Sequence, residues 1–167
     1  MRTFQIIDAG AERAAELAQV SSDAFGAAGW GADAIASALR QPAARGLAAQ
    51  ADSGRLIAFL IWRVLGPESE LLTLGVAPDQ RRRKVASALM DHMLGDAANV
   101  RCERMFLEVA ETNAAAQRLY ECFAFKANSV RRDYYGRGQH AIVMAAPLRR
   151  RLTNRMAKPV LSQQRRR

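Results

Sequence analysis

The stretch from residue 107 to residue 125 constrains the fold of this chain most, because a strand pattern gives way there to a helix pattern within a few residues. Residues 104–109 alternate in polarity, which predicts a half-buried strand. Asn113 then suits the N-cap of a helix. Apolar residues recur after it at helical spacing: Ala115, Leu119, Cys122 and Phe123. We therefore expect a strand, a turn and a short helix, with Glu108 near the strand's end and Tyr120 on the helix.

The periodicity of the remaining chain predicts the other strands and helices. The strands cover residues 2–7, 46–52, 55–64, 70–76, 125–130 and 140–147. The helices cover residues 8–25, 33–40 and 82–97, and Asp8 is the expected cap of the first helix. Because residues 56–62 are almost wholly apolar, we expect that strand to be covered on both faces. The order βααβββαβαββ, with no repeat and no linker, predicts one mixed α/β domain over residues 1–148.

The net charge of +9 is concentrated at the C-terminal end. Residues 149–167 hold eight Lys or Arg residues and no acidic one, which leaves 17 basic and 16 acidic residues before them. A segment so basic and so poor in large apolar residues predicts a disordered tail that contacts RNA or another polyanion. A solvated tail that only aids solubility explains the composition equally well.

Targeting and metal-binding patterns are missing from the sequence. The sequence contains no run of about 18 apolar residues, so it predicts no transmembrane helix. Residues 1–10 lack the pattern of a signal peptide. Cys102 and Cys122 fit no metal spacing, and neither His92 nor His140 has a partner at ligand spacing. We therefore expect a cytoplasmic protein with reduced thiols, no bound metal and no membrane partner.

Four cations open the helix predicted at residues 82–97: Arg81, Arg82, Arg83 and Lys84. Positive charge opposes the helix dipole at that end, whereas the dipole and the free N–H groups favour an anion. A bound phosphate would resolve this conflict, and we favour it over a basic turn that is merely solvated. The segment lacks the Gly-x-x-x-x-Gly-Lys pattern, so we do not expect a nucleoside-triphosphate loop.

Gly75 interrupts an apolar strand in which Leu72, Leu74 and Val76 are predicted to share one face. A glycine inside a strand often marks a bulge or a close backbone approach. A bulge here would splay this strand from the strand at residues 104–109. The N–H and C=O groups left unpaired could then bind an extended, amide-bearing ligand. The alternative is a glycine that makes room for a bulky neighbour.

Glu108 and Tyr120 are placed to converge on one cleft, where a carboxylate can accept a proton and a phenol can donate one. Taken singly, each has a simpler interpretation. Glu108 would be an exposed carboxylate at a strand end, and Tyr120 a core tyrosine whose hydroxyl is satisfied. The case for chemistry depends on their occurring together, next to a turn that favours phosphate.

These residues resemble the GNAT superfamily of acyl-CoA-dependent N-acetyltransferases, over nearly the whole of residues 1–148. More narrowly, the chain is similar to the bacterial ribosomal-protein-alanine N-acetyltransferases. The shared motif is Leu-Glu-Val at residues 107–109, Asn-Ala-Ala-Ala at 113–116, Leu-Tyr-Glu at 119–121, and Phe125. Arg-Arg-Asp-Tyr-Tyr at residues 131–135 is close to that family's Arg-Arg-x-Tyr-Tyr.

The resemblance implies a mostly antiparallel sheet splayed between its fourth and fifth strands, with helices on both faces. It implies acetyl-CoA as cosubstrate, Glu108 as the general base and Tyr120 as the general acid. The residues that it implies for cofactor binding are Leu74, Gly75, Val76, Arg81, Arg82, Arg83, Lys84, Val85, Ala86, Ser87 and Asn113. Lys84 departs from the family pattern, which has Gly there, and Gly is the residue that lets a backbone come close to phosphate.

We therefore expect an enzyme that transfers an acetyl group directly from acetyl-CoA to the N-terminal α-amino group of a protein. The resemblance narrows the acceptor to the N-terminal alanine of small-subunit ribosomal protein eighteen. One alternative is a GNAT enzyme for another amine, such as a lysine side chain or a small polyamine. The other is a non-catalytic module of the same fold that binds RNA through residues 149–167.

Overall fold

The computed structural model describes residues 4–148, so the predicted tail at residues 149–167 lies outside the described residues. Within them the elements follow the predicted order. The strands are β1 (Phe4–Asp8), β2 (Ala44–Ala51), β3 (Leu56–Leu65), β4 (Glu68–Val76), β5 (Arg104–Ala110), β6 (Lys126–Gly136) and β7 (Gln139–Pro147). The helices are α1 (Ala14–Phe25), α2 (Ala32–Leu39), α3 (Val85–Asn99) and α4 (Ala114–Cys122).

The strands form one sheet in the order β1-β2-β3-β4-β5-β7-β6. Neighbouring strands are antiparallel except β4 and β5, which are parallel. Their pairing is short and ends where Leu71 lies opposite Leu107. No ladder pair joins residues 72–76 to residues 108–110. The sheet therefore opens between its fourth and fifth strands, as predicted, and we call this opening the gap.

The bulge in β4 is at Leu72 and not at Gly75, where the sequence suggested one. Ile61 of β3 pairs with Thr73 and its neighbour Trp62 pairs with Leu71, so Leu72 is the extra residue. An extra residue reverses the alternation of side chains along a strand. Leu72 therefore packs on the opposite face from Leu74 and Val76, and the prediction that all three share one face was wrong.

Helices cover both faces of the sheet, and β3 lies between them as its apolar sequence predicted. Phe59 and Ile61 belong to the core beneath α1 and α2, whereas Leu60 and Trp62 belong to the core beneath α3. All four side chains are almost completely buried. Each such burial contributes about 1.5–3 kcal/mol, so the strands that position the gap are held firmly from both sides.

Two helices begin later than predicted. Asp8 is the last residue of β1 and does not cap α1, which starts at Ala14 after a 3-10 turn at Ala11–Arg13. The third helix starts at Val85 rather than at residue 82. Arg82 and Lys84 have φ angles of 64° and 62°, which a right-handed helix excludes. The basic residues therefore form a separate turn before α3.

The remaining structural expectations concern membranes, thiols and metals. Within residues 4–148, no helix is long and apolar enough to cross a membrane. Cys102 is buried, Cys122 is exposed, and both are free thiols. Over the same residues, no three His, Cys, Asp or Glu side chains lie close enough together to hold a metal ion.

Candidate active site

Glu108 lies at the point where β5 separates from β4. The strand buries Met105, Leu107 and Val109 against α3, and it leaves Phe106 and Glu108 on the other face, as its alternation predicted. Only 18% of the Glu108 side chain is exposed. Its Oε1 atom accepts a hydrogen bond of 2.5 Å from Nη1 of Arg131. The carboxylate is therefore shielded and held at the edge of the gap.

Strand β6 brings Arg131 to this position, and a large bulge follows it. Arg131 lies opposite Ala141 of β7 and Gly136 lies opposite Gln139, so residues 132–135 face His140 alone. Asp133 adopts a φ of 54° within the bulge, and its N–H donates to Nδ1 of His140 at 3.0 Å. The strand runs to Gly136, well beyond the predicted end at residue 130.

Two tyrosines of the same bulge also reach Glu108. A hydrogen bond from the Tyr134 hydroxyl to Glu108 raises the pKa of that tyrosine. Burial raises the pKa of Tyr135, and the charge of Glu108 raises it further. The two rings meet edge to face, 4.9 Å apart, and the Arg131 guanidinium lies 5.4 Å from the centre of the Tyr134 ring. The sequence pattern at residues 131–135 served only as a family marker, and it did not identify these residues as part of the site.

Tyr120 of α4 is 7% exposed and packs beside Phe125 with their ring centres 6.0 Å apart. Burial raises the pKa of its hydroxyl to about 12, with a smaller contribution from Tyr135. Among the described residues the hydroxyl has no hydrogen-bond partner, yet it is not one of the enclosed polar atoms. The oxygen therefore reaches the surface as a neutral proton donor, unlike that of a core tyrosine with a satisfied hydroxyl.

Tyr135 interacts electrostatically with both Glu108 and Tyr120, which is the structure's link between the two candidates. The start of α4 fixes this arrangement. Oδ1 of Asn113 accepts the N–H of Ala116 at 3.1 Å, which confirms the predicted N-cap. The Gln117 amide donates to the carbonyl groups of Ala110 and Glu111 and so ties α4 to the end of β5. No sequence pattern indicated this role for Gln117.

The basic turn lies on the opposite wall of the gap, between β4 and α3. Arg82, Arg83 and Lys84 are all exposed, and Lys84 is the N-cap residue of α3. Within the described chain, the N–H groups of these three residues donate no hydrogen bond. A left-handed conformation costs a residue other than glycine about 1–2 kcal/mol. Lys84 thus adopts the backbone conformation that the family's Gly would adopt without strain.

Arg81 has a different environment from its three neighbours. Its Nη2 atom donates to the carbonyl oxygen of Ala24 at 2.9 Å, and its Nε atom donates to that of Val76 at 3.3 Å. The guanidinium therefore joins the end of α1 to the end of β4. This contact supports the wall of the gap, whereas the sequence suggested a contact with phosphate.

Gly75 makes room for its neighbours, which is the alternative that the sequence left open. A Cβ atom at this position would lie 2.8 Å from the Phe59 ring and 3.1 Å from the Phe25 ring. The backbone of β4 can therefore pack closely against α1. Residues 72–76 keep an unpaired edge toward the gap, because their ladder with β5 has ended. That edge comes from the Leu72 bulge and the short parallel pairing rather than from Gly75.

A cavity of about 500 Å³ lies at the far end of α3 and has no residue in common with the gap. Asp8, Trp62 and Asp96 are among the residues that line it. Burial raises the pKa of Asp96, and the charge of Asp8 raises it further. The acid and base candidates lie at the gap instead, so we place the candidate active site there.

A sheet that opens between a parallel pair of strands, with a carboxylate and a phenol beside the opening, has the architecture of an acyl-CoA-dependent acetyltransferase. The acetyltransferase (GNAT) family matches residues 13–125, and the chain belongs to that family. It is therefore an N-acetyltransferase of the GNAT type, and the expected fold class is confirmed.

Relatives of known name share this sequence and fold. The chain is 36% identical over 100 residues to the ribosomal protein bS18-alanine N-acetyltransferase of Escherichia coli K12, which covers 58% of this chain and 67% of that protein. The crystal structure of the Escherichia coli ribosomal-protein-S18-alanine N-acetyltransferase matches with a TM-score of 0.80 and 28% identity, over 87% of this chain and 94% of that one. Arabidopsis thaliana NAA60 in complex with acetyl-CoA shares the fold, with a TM-score of 0.77 and 17% identity over 87% and 99% of the two chains.

Proposed function

We propose that this protein transfers the acetyl group of acetyl-CoA to the N-terminal α-amino group of a protein. Its acceptor would resemble the N-terminal alanine that the name of the Escherichia coli relative specifies. The observation that carries the proposal is the position of Glu108 at the edge of the gap, where the pairing of β4 with β5 has just ended. That position suits proton transfer beside a ligand lying between the two strands.

The opposite wall of the gap fits acetyl-CoA, which would supply the acetyl thioester. The free backbone edge at Leu74, Gly75 and Val76 suits the amide groups of the pantetheine arm. Arg82, Arg83 and the first turn of α3 would hold the pyrophosphate through charge and N–H groups. The residues of that turn are Lys84, Val85, Ala86 and Ser87. The free amide N–H₂ group of Asn113 would donate a hydrogen bond to the cofactor. Arg81 would act indirectly, because its guanidinium is occupied by backbone carbonyl groups.

Glu108 would accept the proton that the acceptor amine must lose. An α-amino group has a pKa of about 7.7–8.0, so this step is modest at neutral pH. A backbone N–H of β4 near Val76 would polarise the thioester carbonyl while the C–N bond forms. Tyr120 would then donate its proton to the sulfur as the C–S bond breaks. Its pKa of about 12 keeps that proton in place at neutral pH.

The test is cofactor binding followed by acceptor profiling with the full chain. We expect calorimetry to show acetyl-CoA binding, and we expect thiol release with a peptide that begins with a free alanine. The control peptide has the same sequence with a blocked N-terminus and one internal lysine, and spermidine is the second control. Release with either control, and not with the free alanine, would assign another acceptor. No binding of acetyl-CoA would contradict the proposal.

For residues 149–167 we propose contact with ribosomal RNA, on the basis of eight basic and no acidic residues in the sequence. Such a tail would favour a ribosomal protein that is already assembled on RNA over the free basic protein. We expect a Gly/Ser replacement of equal length to weaken ribosome association and its salt dependence, and a scrambled tail of equal charge to retain both. Unaltered, salt-independent association after the Gly/Ser replacement would contradict this proposal.

A further inference from the structure

The ion pair between Arg131 and Glu108 occupies the atom that the proposed mechanism needs. The Arg131 Nη1 atom lies 2.5 Å from Oε1 of Glu108, so the two charged groups are in direct hydrogen-bond contact. The same carboxylate also interacts with Tyr134 and raises the pKa of that tyrosine. The candidate base is therefore bound to a cation that belongs to the protein itself.

Arg131 can leave this position at little cost. Its side chain is 57% exposed, and no other hydrogen bond or ion pair holds the guanidinium among the described residues. Water and salt compete for the exposed guanidinium, although not for the shielded Glu108 carboxylate, and this competition weakens the pair. The Tyr134 ring, whose centre is 5.4 Å from the guanidinium, offers an alternative contact for the cation.

A protonated acceptor amine presents the same chemistry as the Arg131 guanidinium. Both are cations with N–H donors, and both need a lone pair of the Glu108 carboxylate. Arg131 retains its charge throughout the accessible pH range, whereas an α-amino group can give up its proton. A carboxylate oxygen held by Arg131 thus makes a hydrogen bond that cannot lead to proton transfer.

We propose that Arg131 occupies the acceptor's place on Glu108 in the resting enzyme, and that the incoming amine displaces it toward the Tyr134 ring. The inference depends on the proposed function, because it takes Glu108 as the base. Arg131 is then a specificity-determining residue, since only an acceptor that carries a cationic amine can compete for the carboxylate. Neutral groups, such as hydroxyls and amides, are excluded from the base.

The test compares three variants of the full chain: Arg131→Gln, Arg131→Lys and Arg132→Gln. We expect Arg131→Gln to lower the KM for an alanine-starting peptide by about two- to five-fold, the range that follows from the strength of an exposed ion pair. Arg131→Lys keeps a competing cation, so it should resemble the wild type. Arg132 is the matched control, because it is the next residue of β6 and no hydrogen bond or ion pair joins it to Glu108.

Peptide binding without turnover separates this inference from the proposed function. With CoA present, a peptide labelled at its C-terminus should bind Arg131→Gln about two- to five-fold more tightly than the wild type by fluorescence anisotropy. In a Glu108→Gln background the same substitution should have no effect, because no carboxylate remains to be released. An unchanged or higher KM in Arg131→Gln overturns the inference, and a fall in kcat would make Arg131 a positioning residue. If the wild type neither binds nor acetylates the peptide, both proposals fail.

Discussion

The two walls of the gap are built from different parts of the chain. The wall formed by β5, α4 and β6 supplies side chains. Among them, Glu108 is the candidate base and Tyr120 is the candidate acid. The wall formed by β4 and the turn before α3 supplies mainly backbone, namely a free strand edge and unpaired N–H groups. The sequence identifies the functional side chains of the first wall directly. The second wall depends on backbone angles, which residue types constrain without determining them.

Both walls contain residues with positive φ that are not glycine, and their identities separate the two. Asp133, in the bulge that carries the two tyrosines, has a φ of 54°. Aspartate tolerates this region because its side chain can form local hydrogen bonds, and Asp133 Oδ1 accepts one of 2.6 Å from the N–H of Gly138. Lys84 has no such compensation at 62°. A side-chain hydrogen bond therefore offsets the cost of the left-handed conformation at Asp133 and not at Lys84.

The largest expected effect is on the side-chain wall. We predict that Tyr120→Phe lowers turnover about 10²-fold, at the lower end of the range for general acid catalysis, and leaves acetyl-CoA affinity unchanged. Folding stability at neutral pH should change little, because the hydroxyl has no protein partner. Thiol release and calorimetry on the purified variant measure the two quantities. Turnover equal to that of the wild type would remove Tyr120 from the mechanism.

The buried phenol also predicts how stability depends on pH. Burial raises the pKa of Tyr120 to about 12 in the folded state, against about 10 when unfolded. The stabilisation is therefore fully present below about pH 10 and is lost as the pH rises toward 12, by about 2–3 kcal/mol in all. Urea unfolding between pH 9 and 11 should show wild-type stability falling relative to Tyr120→Phe. If the stabilities of the wild type and Tyr120→Phe changed in parallel with pH, the folded and unfolded states would bind the Tyr120 proton equally.

A smaller effect tests how closely the backbone wall is packed. Gly75→Ala should destabilise the protein by about 1–3 kcal/mol, because the added Cβ would overlap the Phe59 ring. Gly95→Ala is the matched control, since a Cβ atom there meets nothing within 4 Å inside helix α3. It should raise stability by about 0.5–1 kcal/mol. Urea titration measures both, and equal changes in the two variants would contradict the packing role of Gly75.

The smallest effect concerns Lys84. Because its backbone is left-handed, Lys84→Gly should raise the free energy of unfolding by about 1 kcal/mol at most. We expect its affinity for acetyl-CoA to stay similar or improve. Arg83→Gly is the control, because Arg83 is not in the left-handed region and should lose stability instead. A large loss of acetyl-CoA affinity in Lys84→Gly would show that the ammonium group itself holds the phosphates.

Most of the fold could be predicted because the hydrophobic periodicity follows the buried faces. The wrong predictions concern segments in which the hydrophobic periodicity carries no information. In the run Leu71-Leu72-Thr73-Leu74, the sequence pattern does not show whether Leu71 or Leu72 faces α3, and the pairing with β3 decides between them. All residues of β6 are exposed, so no alternation marked its true end at Gly136. Neither the 3-10 turn before α1 nor the left-handed residues before α3 leaves an apolar pattern.

The site divides in the same way. Glu108, Asn113 and Tyr120 lie within one segment of strand, cap and helix, and local signals predicted the strand, the cap and the helix correctly. Arg131 lies opposite Ala141 of β7, and the two tyrosines lie in the bulge at residues 132–135, opposite His140. That geometry arises from pairing between distant strands, which one sequence does not encode locally. The roles of the cofactor-binding residues stay predictions.

The central claim is that Glu108 accepts the proton of the acceptor amine, and one measurement tests it directly. The rate of thiol release from acetyl-CoA with an alanine-starting peptide should fall at least about 10²-fold in Glu108→Gln, while acetyl-CoA binding stays unchanged. Glu111→Gln is the matched control, because this exposed carboxylate lies three residues away, next to the start of α4. It should release thiol at the wild-type rate. Wild-type turnover in Glu108→Gln would contradict the account.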